Sequence, residues 1–115
     1  MLKVAICVVT RNNSLQLART LDALADLQKP IDVDLRFVVC NNGSTDGTRH
    51  VIGAFMGQVR VPVKRLYTGS VARSTAMQVC LDEVSKQGDD IAVVFIDDSE
   101  KLEPNFLVKL AESLK

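Results

Sequence analysis

Three groups of residues have the types and spacing to meet a charged ligand. Asp97, Asp98 and Glu100, with Ser99 among them, stand directly after the apolar run Ile91-Ala92-Val93-Val94-Phe95-Ile96. Thr10, Arg11, Asn12 and Asn13 follow a second run, Val4-Ala5-Ile6-Cys7-Val8-Val9, and Asn41 to Thr48 follows a third, Phe37-Val38-Val39-Cys40. Clustered carboxylates repel one another unless a cation or polar ligand offsets their charge. Hard divalent cations such as Mg²⁺ and Mn²⁺ take oxygen ligands of this kind. The same acids equally suit a solvated turn ahead of a helix, and taken alone they leave both readings open. If Asp97 and Asp98 both stay extended, their side chains leave on opposite faces and only one meets the ligand.

The elements that must position these groups can be read from apolar patterning. Continuous apolar runs are the habit of strands buried on both faces of a parallel sheet, which predicts such a strand for the run ending at Ile96, a central strand for the run ending at Val9, and a further strand ending at Cys40. Ser14 is placed to cap a helix with Leu17, Ala18, Leu21, Leu24 and Ala25 on its inner face, ended by Lys29-Pro30. Asn41-Asn42-Gly43 predicts a tight turn, with Ser44 or Thr45 capping a helix that has Asp46 in its first turn, carries Val51, Ile52 and Phe55 inward, and closes at Gly57. Pro62 marks Val61 to Tyr67 as an edge strand. Ala72, Ala76, Val79 and Cys80 give a third helix its packed side, and Pro104 starts a fourth with Leu107, Leu110, Ala111 and Leu114 inward. This β-α-β-α-β-α-β-α order predicts one α/β domain over 1–115: a three-layer α/β/α sandwich with a mainly parallel sheet. In such a sheet Thr10, Asn42 and Asp97 share the carboxyl edge, where open α/β sheets bind their ligands.

Composition narrows the classes. The 115 residues carry 14 Lys plus Arg and 14 Asp plus Glu, so no basic surface for nucleic acid or anionic membrane is expected. No run is long enough to cross a bilayer, and Met1-Leu2-Lys3-Val4 enters a strand with no cleavable signal pattern. The 3 cysteines, Cys7, Cys40 and Cys80, form no Cys-x-x-Cys pair and accompany a single histidine, His50, which disfavours zinc. Reduced, buried thiols suit a cytoplasmic protein. No Gly-x-Gly-x-x-Gly, P-loop or nucleophile elbow is present, which disfavours dinucleotide oxidoreductases, P-loop NTPases and serine hydrolases. A phosphoacceptor receiver would need its acid pair after the first strand, where Thr10-Arg11-Asn12 stands.

Four segments in order then resemble the family 2 glycosyltransferases of the GT-A fold: Val8-Val9-Thr10-Arg11-Asn12, Asn42-Gly43-Ser44-Thr45-Asp46-Gly47-Thr48, Gly69-Ser70-Val71-Ala72-Arg73, and Phe95-Ile96-Asp97-Asp98-Ser99 followed by Pro104. The resemblance implies a Rossmann-like half-enzyme that binds a nucleotide-diphosphate sugar. Thr10, Arg11, Asn12, Asn41 and Asn42 fall on its nucleoside side, Arg73 on its donor side, and Asp97, Asp98 and Ser99 on a divalent metal (Mg²⁺ or Mn²⁺) carrying the diphosphate. Several positions depart from the pattern. Asn41 replaces a common aspartate, Ser99 the second acid of Asp-x-Asp, and Ser74 a frequent asparagine. The chain also ends where family members continue into the acceptor wall and catalytic base, so a donor-binding half with no transfer activity of its own is expected. The alternative is a non-catalytic nucleotide-sugar-binding or interaction module on the same scaffold.

Simpler roles stand beside these. Asn12 and Asn42 suit left-handed turn positions as well as ligand contacts. Asp46 reads as a helix-start residue, Arg73 also as a solvated helix residue, His50 as a surface residue away from the site, and Tyr67 as packing at a strand end.

Overall fold

The computed structural model describes residues 1–114. Four strands, β1 (Leu2–Thr10), β2 (Val33–Asn42), β3 (Val63–Thr68) and β4 (Ile91–Asp97), alternate with α1 (Ser14–Ala25), α2 (Thr48–Gln58), α3 (Arg73–Gln87) and α4 (Phe106–Ser113). The strands form one sheet in the order β3-β2-β1-β4, with every pairing parallel. The three-layer parallel α/β arrangement expected from the alternation is the one observed.

Winding from β1 through β2 to β3 runs one way across the sheet and puts α1 and α2 on one face. The step from β3 back to β4 runs the other way, so a crossover of the same hand lays α3 on the opposite face. Two cores result. On one side Val4, Ile6 and Val8 of β1 meet Leu17, Leu21 and Leu24 of α1, Ile52 and Phe55 of α2, and Leu107 and Ala111 of α4. On the other, Ala5, Cys7 and Val9 meet Val38, Cys40 and the α3 residues Ala76, Cys80 and Val84. All three cysteines are free thiols in this second core. Phe37 and Phe55 anchor the first, with ring centroids 5.3 Å apart.

β4 lies at an edge rather than inside. Its apolar run is only partly covered, and Ile96 alone is fully buried, because β1 is its single partner. The prediction of β3 as the other edge holds.

Several boundaries differ from expectation. α1 stops at Ala25, before Lys29-Pro30, because the following segment is drawn out to the loop ahead of α4, where the Gln28 N–H donates to Pro104 O at 2.8 Å. Ser14 is already helical, and α2 begins at Thr48 after Gly47, so neither Ser44, Thr45 nor Asp46 sits at the expected cap or first-turn position. α2 runs one residue past Gly57 to Gln58. α4 starts at Phe106, since Pro104 belongs to the turn before it, and Leu114 is exposed beyond its end. Ala72 precedes α3 as an exposed cap residue rather than packing. Tyr67 is 52% exposed, its ring under the Arg65 guanidinium instead of packed at the strand end. No helix of the described residues is long and apolar enough to cross a membrane.

Phe55 fills the space between α2 and the sheet. Phe55→Ala should therefore lower unfolding free energy by about 3–5 kcal/mol, read by urea denaturation. Leu15→Ala, at a position 68% exposed, should stay within about 0.5 kcal/mol.

Candidate functional site at the carboxyl edge

β1 has its neighbours in opposite winding directions, β2 on one side and β4 on the other, so the sheet reverses order between β1 and β4. The carboxyl ends there are the place where open α/β sheets leave a crevice. Thr10, Asn42 and Asp97 all lie on that edge, as the parallel pairing requires.

The acidic turn is built on this crevice. β4 ends at Asp97, and the Glu100 N–H donates to Asp97 O at 3.1 Å, so the chain leaves extended geometry at Asp98. The two carboxyl groups therefore do not part to opposite faces. They are neighbours close enough for each to shift the titration of the other. Burial pushes the Asp98 carboxyl up, and the adjoining Asp97 adds to the rise; the Thr10 hydroxyl and Asn13 oppose it. The neighbouring Asp98 holds Asp97 under the usual carboxylate range, assisted by Ser99 and by the positive Arg73. Ser99 donates to Asp97 Oδ1 from both N–H and Oγ at 3.2 Å. Thr10, itself 1% exposed, donates from Oγ1 to Asp98 Oδ2 at 2.9 Å.

The asparagine loops are fixed by their own amides. Asn12 takes a left-handed φ of 50° and accepts at Oδ1 from Thr45 N–H at 2.7 Å; its own N–H donates to Ser44 Oγ at 3.0 Å. Asn41 accepts from the Ser44 N–H at 3.2 Å. Asn42 uses both ends of its amide. Its Nδ2 donates to Val71 O at 2.8 Å, and its Oδ1 accepts from Val71 N–H at 2.9 Å and Thr68 Oγ1 at 2.7 Å. This joins the β2–α2 loop to the β3–α3 loop that leads into Arg73. Asp46, just ahead of the α2 cap rather than in its first turn, serves two helices. Oδ1 accepts from Thr48 N–H and its hydroxyl, and Oδ2 from Ser14 N–H at 3.1 Å, which supplies α1 with an acceptor its own sequence lacks.

Arg11, Asn42, Arg73 and Asp98 line one cavity of about 400 Å³, so residues from all four strand-end loops meet there. Asn41 opens instead onto a neighbouring cavity of about 340 Å³, with Asp46, Arg49, Tyr67 and His50. His50 is therefore a surface residue beside the site, not away from it. Among the described residues no group of three His, Cys, Asp or Glu side chains is disposed to hold a metal ion.

Sequence reasoning missed Thr20. It is 2% exposed on α1 and donates from Oγ1 to Asp98 O at 3.0 Å and Glu100 O at 3.2 Å. The signal was a hydroxyl on the otherwise apolar stripe Leu17, Leu21, Leu24.

The all-parallel sheet in the order β3-β2-β1-β4 with its flanking helices is the α/β arrangement of the GT-A glycosyltransferase fold. Residues 5–115 match the model of glycosyl transferase family 2, and the chain belongs to that family. A Mycoplasma pneumoniae protein described as an uncharacterized glycosyltransferase is 29% identical over 110 residues, which are 96% of this chain and 36% of that protein. Staphylococcus aureus TarS 1–349 in complex with UDP-GlcNAc superposes with a TM-score of 0.75 at 24% identity, over 96% of this chain and 30% of that one. The mannosyltransferase PcManGT from Pyrobaculum calidifontis, in complex with GDP-Man and Mn²⁺, gives 0.80 at 20% identity, over 96% and 32%. The chain spans about a third of the length of these proteins.

Asn42→Asp keeps the shape but removes the donor to Val71 O and sets a carboxylate against it. It should cost about 1–3 kcal/mol in urea unfolding. Gly43, at φ 70°, would place a Cβ 2.1 Å from Ser70 Oγ and 2.5 Å from Ser70 N, so Gly43→Ala should destabilise by roughly 1–3 kcal/mol in the same assay.

Proposed function

We propose that this chain is the donor-binding part of a family 2 glycosyltransferase, holding a nucleotide-diphosphate sugar at its carboxyl edge with a divalent metal. The observation that carries this is the acidic turn at the switch point, hydrogen-bonded to Thr10 and facing Arg73 across one cavity. Two carboxylates and a hydroxyl are hard oxygen donors, which fits Mg²⁺ or Mn²⁺. Asp97, Asp98 and Ser99 would hold the ion, with phosphate and water oxygens completing its shell. When bound, the metal offsets charge on the diphosphate leaving group.

The chain's own residues supply the rest. Arg73 brings a second positive charge to the donor side. Thr10, Arg11, Asn12, Asn41 and Asn42 form the nucleoside wall; Asn12 and Asn42 act by fixing the loops, since their amides already bond within the protein. Three buried free thiols suit a reducing compartment, and we place the protein in the cytoplasm.

Calorimetry with UDP and GDP, with and without Mn²⁺, tests the reading. Binding should be metal-dependent. Asp97→Asn should weaken the metal-dependent part by about tenfold, the scale of one lost contact to a charged group, and Ser99→Asp should strengthen it. Nucleotide affinity indifferent to Mn²⁺ and to both substitutions would overturn the assignment.

A further inference from the structure

The acidic turn is joined to its own strand only through Asp97, and Asp98 departs from the extended path just where its position matters. A free turn of this composition would spread, because like charges repel and exposed peptide groups find water. Two buried hydroxyls, those of Thr10 and Thr20, bond to it and oppose this. Thr20 lies on the second turn of α1, 78 residues away from Asp98 in sequence, and its Oγ1 reaches both Asp98 O and Glu100 O, at 3.0 Å and 3.2 Å. Its neighbours on the helix stripe, Leu17, Leu21 and Leu24, are buried in the first core, so the helix face that carries the hydroxyl cannot turn away. Leu107 and Ala111 close the same core from α4, directly after the turn.

Thr20 and Thr10 hold Asp98 at two different points. Thr10 takes a side-chain oxygen of Asp98 and Thr20 takes its main-chain carbonyl. The first bond fixes where the carboxylate points. The second fixes the backbone that carries it, and through Glu100 O it closes the far side of the turn as well. With its hydroxyl engaged in this way, the buried polar group of Thr20 is satisfied rather than a defect in the α1 stripe.

We infer that Thr20 is a positioning residue for the metal-bearing turn: it preorganises Asp97 and Asp98 for the cation without touching it. This rests on the donor reading above. A preorganised carboxylate pair avoids the ordering cost that a mobile turn would meet on binding. The loss should therefore fall on the metal-dependent part of nucleotide binding and leave the metal-independent part alone.

The experiment compares Thr20→Val and Thr20→Ser in the purified chain, by calorimetry with UDP and with GDP at zero and saturating Mn²⁺, alongside thermal unfolding and amide hydrogen exchange of Ser99 to Lys101. Valine keeps the shape and removes the hydroxyl; serine keeps the hydroxyl and removes a buried methyl. Thr20→Val should lose about three- to tenfold in the Mn²⁺-dependent affinity, with unchanged metal-free affinity and faster exchange in the turn. Thr20→Ser should keep the Mn²⁺-dependent affinity despite a lower melting temperature. A purely structural threonine would instead make both affinities follow the melting temperature, and that result overturns the inference. Faster exchange without any change in Mn²⁺-dependent binding also overturns it. If the unsubstituted chain itself binds nucleotide without regard to Mn²⁺, the donor reading fails, and this inference fails with it.

Discussion

Everything in this molecule hangs from β1. It is hydrogen-bonded on both sides and buried on both faces from Val4 to Thr10, so only its first two residues meet water. Burial of alternate residues in two separate cores locks its register, because a slip of one residue would exchange the two sets. Thr10 is the buried end of this fixed strand, and its hydroxyl donates to Asp98 there. The position of the acidic turn is thus inherited from the most constrained strand in the fold.

From that anchor the edge is assembled by side chains that reach from one loop to another. Asn12 with Thr45, Asn42 with Val71, Asp46 with Ser14, and Thr20 with the acidic turn each tie two crossovers together. Such contacts let four loops share a geometry that none would adopt alone. They also explain why an amide is well suited to position 42. Val71 offers both an N–H and a carbonyl, and only a group that accepts and donates answers both. A carboxylate at the same place would answer only one of them. The asparagine that departs from the common family pattern, Asn41, needs no such explanation from the fold, since only its carbonyl oxygen bonds within the protein.

The alternation of apolar runs with amphipathic helices was enough to read the architecture, and the polar ends of β1, β2 and β4 were enough to place the site on one edge. What the sequence did not reveal has physical causes. An apolar run such as Ile91 to Ile96 reports that a strand's faces are covered, not whether it has one neighbour or two, so the edge position of β4 was not legible. The end of α1 is set by a hydrogen bond to Pro104, which no local rule contains. Whether Asp97 and Asp98 part to opposite faces depended on both staying extended, a condition that the sequence left open and the turn closed by Glu100 N–H on Asp97 O removes. Thr20 escaped notice because a threonine amid leucines carries no mark of the carbonyls it will meet some 80 positions later.

The two borders of the sheet are treated very differently by the sequence. β3 is preceded by Pro62 and carries Lys64 and Arg65, features that discourage another chain from lying alongside. β4 carries no charge before Asp97, yet its outer row of peptide groups is open among these residues. A strand of aliphatic and aromatic residues with one bare side is a template, able to recruit an extended segment by main-chain bonding alone. Of the two borders, β4 is the one suited to receive a further extended segment and β3 the one that resists it.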